Sequence, residues 1–240
     1  MTTNGVAEND TGAMPVLAVG TTADIYLVDD ERVLRRYRDG HDTAYEAALM
    51  RHAAEHGFPV PALYSSDGCD LVMERLHGPT LLQALAAGEF NLQDGADIMA
   101  DLHHRLHAVP APRGAVANDV VVHLNLHPGN IILSESHGPA LVDWTNARLG
   151  SVDLDIAMSA IILGEVAADS NGDYSRAARA MLVAFLAVVS GNPLAQLDAA
   201  AALRLRDLTL VADEKTLIAP AAALVRRYSC DVIIGGDTGS

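Results

Sequence analysis

The chain is short of three things, and each shortage closes off a class of function. It holds two cysteines, Cys69 and Cys230, in 240 residues. Two thiols so far apart in sequence make no disulfide framework and point to a reducing compartment. Basic charge is scarce: 16 Lys and Arg face 31 Asp and Glu, giving a formal charge of −15 and a pI near 4.8. A nucleic-acid backbone or an anionic membrane surface would repel such a chain at long range, so neither is an expected partner, and a cationic or metal-bridged ligand fits better. Long apolar runs are missing too. The longest, 180–189, falls short of the ~20 residues that cross a bilayer. The start, MTTNGVAENDTGAMP, has no basic region followed by an apolar core, which argues against a secretory signal. The expected location is cytoplasmic.

What is present is enough for a packed interior, since 50% of the residues are hydrophobic. Residues 1–14 are polar and read as a flexible tail. PVLAVG, DIYLV and the end of DDERVLRRY read as three strands in a row, which suggests a small antiparallel sheet. From Asp42 to His56 the apolar period changes to that of a helix, with Tyr45, Leu49 and Ala53 on one face and Gly57 as its C-cap. VPALYSS and CDLVMERL look like two further strands. After Gly78-Pro79 the chain becomes rich in Ala and Leu, with helices expected at 80–87 and 92–108, the latter ended by Pro110 and Pro112. Residues 121–143 return to short strands around loops. From Asp153 onward three or four helices are expected, broken at Gly172, at Gly191-Pro193 and near Asp213. The expected fold is α+β and bilobal: an N-lobe over 15–76, a mainly helical C-lobe over 77–228 and a C-terminal tail over 229–240.

The chemistry gathers in HLNLHPGNIIL followed by GPALVDW. His123, Asn125, Asn130 and Asp143 are polar residues at the ends of apolar strands. A hairpin through Gly138-Pro139 would bring Asn130 and Asp143 together at its open end. An amide oxygen beside a carboxylate is a hard-oxygen pair suited to Mg²⁺, which usually keeps waters and substrate phosphates as its other ligands. That combination points to nucleotide phosphate chemistry. His103 with His107, and His123 with His127, imitate metal pairs at i, i+4, but the sequence offers neither an HExxH pattern nor a third nearby ligand for zinc.

The pattern H-x-x-x-x-x-x-N followed by a strand-borne Asp resembles the protein-kinase-like fold, and its wording, HLNLHPGNIIL with LVDW, is closer to the aminoglycoside phosphotransferase and choline kinase family. ERVLRRY, LVMERLHGPTL, MADLHHRLHAV and GSVDLDIA follow in that family's order over roughly 16–160. The resemblance implies a small antiparallel N-lobe sheet with one helix, a larger helical C-lobe, ATP and Mg²⁺ as cofactors, and a small-molecule hydroxyl acceptor, an aminoglycoside-like antibiotic among the possibilities. It implies that Asn130 and Asp143 hold the metal and that His123 braces the loop. Arg35 stands where a phosphate-contacting Lys is expected, paired with Glu46, and Arg36 is the adjacent candidate. Gly20, Thr21 and Thr22 form a reduced phosphate loop. The backbone of Glu74, Arg75 and Leu76 would meet adenine, and Asp155 would hold the catalytic segment. A monomer or a homodimer is expected.

The sequence departs from the family at Asn125, where the catalytic Asp belongs. A carboxylate can take the proton of the attacking hydroxyl; an amide can hold the hydroxyl but not usefully accept its proton. The choice is open between an engineered inactivating change, a naturally slow kinase, and a nucleotide-binding pseudokinase acting as an interaction module. Asp153, Glu165, Asp169 and Asp173 suggest an acidic acceptor side that favours cations.

Overall fold

The computed structural model describes residues 14–169 and 172–236. The expected 1–14 tail thus lies almost wholly outside the described residues. Strands β1 (Val16–Val19), β2 (Ala23–Leu27), β3 (Arg32–Tyr37), β4 (Leu63–Asp67) and β5 (Asp70–Glu74) form one antiparallel sheet in the order β1-β2-β3-β5-β4. β3 is central, and its alternation places Val33 and Arg35 on one face and Leu34 and Arg36 on the other. β5 joins the sheet by pairing with β3, and β4 follows as its edge strand, paired to β5 through the tight turn at Gly68.

Helix α1 (Ala44–Glu55) packs against this sheet by Glu46, Ala47, Leu49, Met50 and Ala53. Gly57 ends it in the left-handed conformation, as expected. Tyr45 does not belong to the inward face: it is 55% exposed, because Glu46 takes the buried place next to it. An aromatic and a carboxylate have exchanged their usual environments, and the reason lies in the pairing of Glu46 described below.

The connector at 75–79 runs against the hairpin of β7 (Ile131–Ser134) and β8 (Gly138–Leu141) and is tied to it by backbone hydrogen bonds. Leu133 N–H donates to Pro79 O at 2.9 Å, Glu135 N–H to His77 O at 3.1 Å, and Thr80 bridges Ile132. Gly78 is fixed by this approach. It has φ 143°, and a Cβ there would sit 2.0 Å from Leu133 O.

Helices α2 (Leu81–Ala87) and α3 (Leu92–His107) each start on a capping box, Thr80 with Gln83 and Asn91 with Asp94, whose side-chain oxygens accept from N–H groups that a first turn leaves unpaired. β6 (Val120–Val122) pairs with β9 (Arg148–Gly150) and closes the loop segment between them. Four helices follow, α4 (Val152–Ala168), α5 (Gly172–Val188), α6 (Pro193–Leu205) and α7 (Ala212–Gly236), with breaks where the sequence puts them. α4 is apolar on all sides because α5, α6 and α7 surround it. α7 runs on to Gly236, into the stretch 229–240 expected as a C-terminal tail.

Candidate active site

A cleft of about 590 Å³ runs between sheet and hairpin. Its roof is the turn between β1 and β2: Gly20, Thr21 and Thr22 line it, with Leu17 and Val19 beside them. Gly20 N–H bonds Ala23 O at 3.0 Å, and a Cβ at Gly20 would lie 2.8 Å from that oxygen, so the turn is drawn tight by its own backbone. Glu74, Arg75 and Leu76 line the back of the cleft and Asn125, Asp143 and Thr145 its inner end. The Glu74 and Arg75 N–H groups are bonded internally, to Ala62 O and Glu31 O, both at 2.8 Å.

At the inner end one carboxylate collects several donors. Asp143 Oδ1 accepts from the Arg35 guanidinium and from Thr145 Oγ1 at 2.9 Å, while Oδ2 accepts from Asn125 Nδ2 at 3.0 Å. Burial, the largest single influence, would raise the Asp143 carboxyl, but the charge and hydrogen bond of Arg35 together with the Thr145 hydrogen bond outweigh it and keep the group below the usual carboxylate range. Asp143 and Leu124 both hold left-handed backbone, with φ 64° and φ 59°. For side-chain-bearing residues that conformation costs on the order of 1–3 kcal/mol, and it turns the two segments toward one another. Val142 N–H bonds Asn130 O at 2.9 Å, so the hairpin brings Asn130 level with the residue before Asp143, as expected. Asn130 donates Nδ2 to Asn125 O at 2.9 Å, which leaves its Oδ1 as the atom that can face a cation. Asn130 Oδ1 and the Asp143 carboxylate are hard-oxygen donors, so the donor set fits Mg²⁺.

Arg35 NH1 also stands 3.8 Å from Glu46, whose other oxygen accepts the Tyr37 hydroxyl at 2.6 Å. Burial pushes the Glu46 carboxyl up, with Arg35 opposing it. Arg36 points to the opposite face and forks onto Asp70 at 2.5 and 2.7 Å. Of the two adjacent arginines, β-strand alternation gives the cleft to Arg35.

His123 does not touch the cleft. Its ring is fully buried edge-on to Trp144, 5.3 Å between centroids, and neither ring nitrogen has a hydrogen-bond partner among the described residues. Burial holds it neutral, lowering its pKa to about 4. Beneath it, Asp155 Oδ1 accepts the backbone N–H groups of His123 at 3.1 Å and Leu124 at 2.6 Å. The first turn of α4 thereby fixes the loop that presents Asn125.

Sequence reasoning missed two parts of the site. His127 Nδ1 accepts from Gly129 N–H at 3.1 Å and caps the short turn Pro128–Asn130. A Cβ on Gly129 would meet that ring at 2.9 Å, so the HPG spelling was the available signal. Arg204, Asp207 and Thr209 also line the cleft, from the far end of α6 and the loop after it, and no motif announced them. The proposed acidic set is not assembled there: Glu165 is forked by Arg204 at 2.9 and 3.0 Å, Asp153 accepts Asn192 N–H at 2.8 Å, and Asp173 pairs with Arg176. Asp153, Glu165, Asp169 and Asp173 are all absent from the cleft lining. The acids that do line it are Glu74, Asp143 and Asp207. Among the described residues, no helix is long and apolar enough to cross a membrane.

The sequence profile of APH, a phosphotransferase enzyme family, matches residues 14–119 and 112–184. No curated protein matches the chain by sequence. Solved structures do resemble it. The ADP-bound aminoglycoside phosphotransferase APH(2'')-Ib is 14% identical with a TM-score of 0.56, covering 88% of this chain and 94% of its own. A thermostable mutant of aminoglycoside phosphotransferase APH(4)-Ia, in its apo form, is 14% identical with a TM-score of 0.58, covering 89% and 94%. A choline/ethanolamine kinase family protein from Mesorhizobium loti is 16% identical with a TM-score of 0.51, covering 94% of each chain.

Proposed function

The chain belongs to the phosphotransferase enzyme family, and from that premise we propose that it transfers the γ-phosphoryl group of ATP to a hydroxyl of a small, amine-bearing molecule. The observation that carries the reading is the inner end of the cleft, where Asp143, Asn125, Arg35 and Thr145 converge on one point below a tight backbone turn. Leu17, Val33, Met73 and Ile132 offer apolar walls for a base, and the backbone at Glu74, Arg75 and Leu76 its polar edge. That APH(2'')-Ib was solved with ADP supports a nucleotide in the same place. Asn130 and Asp143 would hold Mg²⁺, which supplies charge to the phosphate oxygens. Arg35, anchored by Glu46, would exchange Asp143 for phosphate once the ion takes the carboxylate. The acidity of the chain supports a cationic acceptor.

Asn125 sets the rate. Its Nδ2 is committed to Asp143, so Oδ1 faces the acceptor hydroxyl and takes its hydrogen bond without taking its proton. Loss of a general base costs typically ~10²- to 10⁴-fold, while positioning and charge still operate. The protein is therefore read as a slow kinase, with its nucleotide site intact. Mg-ATP is expected to raise the melting temperature, and Asp143→Ala to abolish that rise. ADP release with a panel of hydroxylated amines then tests transfer. A melting temperature indifferent to Mg-ATP sinks the nucleotide site, and silence of both the parent and Asn125→Asp across the panel leaves a nucleotide-binding module instead.

A further inference from the structure

Beneath the catalytic loop lie three side chains that take no part in the cleft. His103 and His107 stand one turn apart on α3, Asp155 faces them from α4, and one ligand atom of each lies within 4.8 Å of the others. His107 Nε2 is 2.8 Å and His103 Nδ1 3.3 Å from the same oxygen, Asp155 Oδ2.

The protons at His103 decide what this cluster is. Ser159 has one hydroxyl proton, and it goes to the Leu126 carbonyl at 2.7 Å, an atom that can only accept. The 3.0 Å contact between Ser159 Oγ and His103 Nε2 therefore needs the proton on Nε2. A neutral imidazole carries one N–H, so Nδ1 turns a lone pair toward a carboxylate oxygen. That nitrogen is buried and has no hydrogen-bond partner among the described residues. Two lone pairs 3.3 Å apart repel each other unless positive charge lies between them.

We propose that His103, His107 and Asp155 form a site for a divalent transition ion, Zn²⁺ by ligand type, that clamps the catalytic loop from below. Two imidazoles and one carboxylate are a zinc-type set, and bonds of ~2.0–2.2 Å in a tetrahedron space the ligand atoms by roughly 3.3–3.5 Å. The His103 contact already has that spacing, and the His107 contact reaches it by opening about half an ångström. Ser159 supplies the outer contact that fixes the His103 tautomer. A surface cavity of about 260 Å³ reaches both histidines past Ala100, His104 and Ser190, which gives an entry path and room for a fourth ligand. Asp155 Oδ1 keeps its bonds to His123 and Leu124, so the ion would tie α3, α4 and the loop together.

The full-length, tag-free protein, stripped with a chelator and titrated with Zn²⁺, is expected to bind one ion that survives Asp143→Ala and is lost in both His103→Gln and His107→Gln, each checked for folding by circular dichroism. Ser159→Ala keeps all three ligands and should weaken binding by ~10- to 100-fold. Co²⁺ in the parent should give the visible absorption of a four-coordinate nitrogen and oxygen site. Failure of the folded parent to retain an ion overturns the assignment, as does a stoichiometry that His103→Gln leaves unchanged. So does an imidazole nitrogen spectrum showing both His103 nitrogens protonated in the titrated protein, since a proton would then fill the place assigned to the metal.

Discussion

Asp143, just past β8, and Asp155, in the first turn of α4, both bond the loop that carries Asn125, yet their surroundings differ in kind. The Asp143 side chain is 31% exposed, and its partners are a guanidinium, a hydroxyl and an amide, all on side chains that can turn away. The Asp155 side chain is fully buried, and two of its three hydrogen bonds come from backbone N–H groups that cannot move without the loop. A carboxylate with exchangeable partners at the edge of a cleft can give them up for an ion. One with fixed partners in the interior sets geometry. The difference teaches that depth and partner type, rather than residue type, separate the acid proposed to act from the one that holds the loop.

The largest expected effect tests the holding role. Asp155→Ala leaves two backbone donors and the His107 ring without their acceptor, and should cost on the order of 3–5 kcal/mol of unfolding free energy, whereas Asp143→Ala should cost no more than ~1 kcal/mol. Urea denaturation of the two variants side by side measures this; equal losses would erase the distinction.

Next comes the acting role. Asn125→Asp replaces the amide 3.0 Å from Asp143 Oδ2 by a second carboxylate. Turnover, read as ADP release with a competent acceptor, should rise by ~10²- to 10⁴-fold. The same variant should melt lower than the parent without Mg²⁺ and regain stability with it, because like charges at that distance need an ion between them. A gain in stability without Mg²⁺ would contradict the placement of Asn125 beside Asp143.

His123 lies between the two carboxylates and reports on both. Burial lowers its pKa to about 4, so the folded state prefers the neutral ring. Its contribution is present above the unfolded value near 6.5 and is lost as pH falls toward 4, a difference of roughly 3 kcal/mol. Denaturation midpoints should drop between pH 6.5 and 4, and less steeply in His123→Gln.

The smallest effect belongs to Arg36, whose fork onto Asp70 sits on the far face of β3. Arg36→Gln should change stability by less than ~1 kcal/mol and leave Mg-ATP affinity untouched, while Arg35→Gln weakens it. A calorimetric titration with the two variants checks the pair.

Much of this site was legible in the chain. HLNLHPGN and LVDW lie close enough in sequence that one hairpin assembles them, and the capping and turn residues around them are local signals. Arg35 and Arg36 could not be separated by spelling, because the choice depends on which face of β3 meets the cleft. Tyr45 misled for a related reason: Arg35 and Tyr37, on a strand away from α1, draw Glu46 inward and leave the aromatic outside.

By itself, then, the sequence determined the family, the order of strands and helices, and the amide at Asn125, since these rest on short-range spacing and on residue identity. Only the tertiary structure decided that Arg204, Asp207 and Thr209 reach the cleft, that Glu165 is spent on Arg204, and that Asp155 completes a triad with His103 and His107. Those contacts join elements far apart in the chain, and no local pattern records which faces packing will bring together.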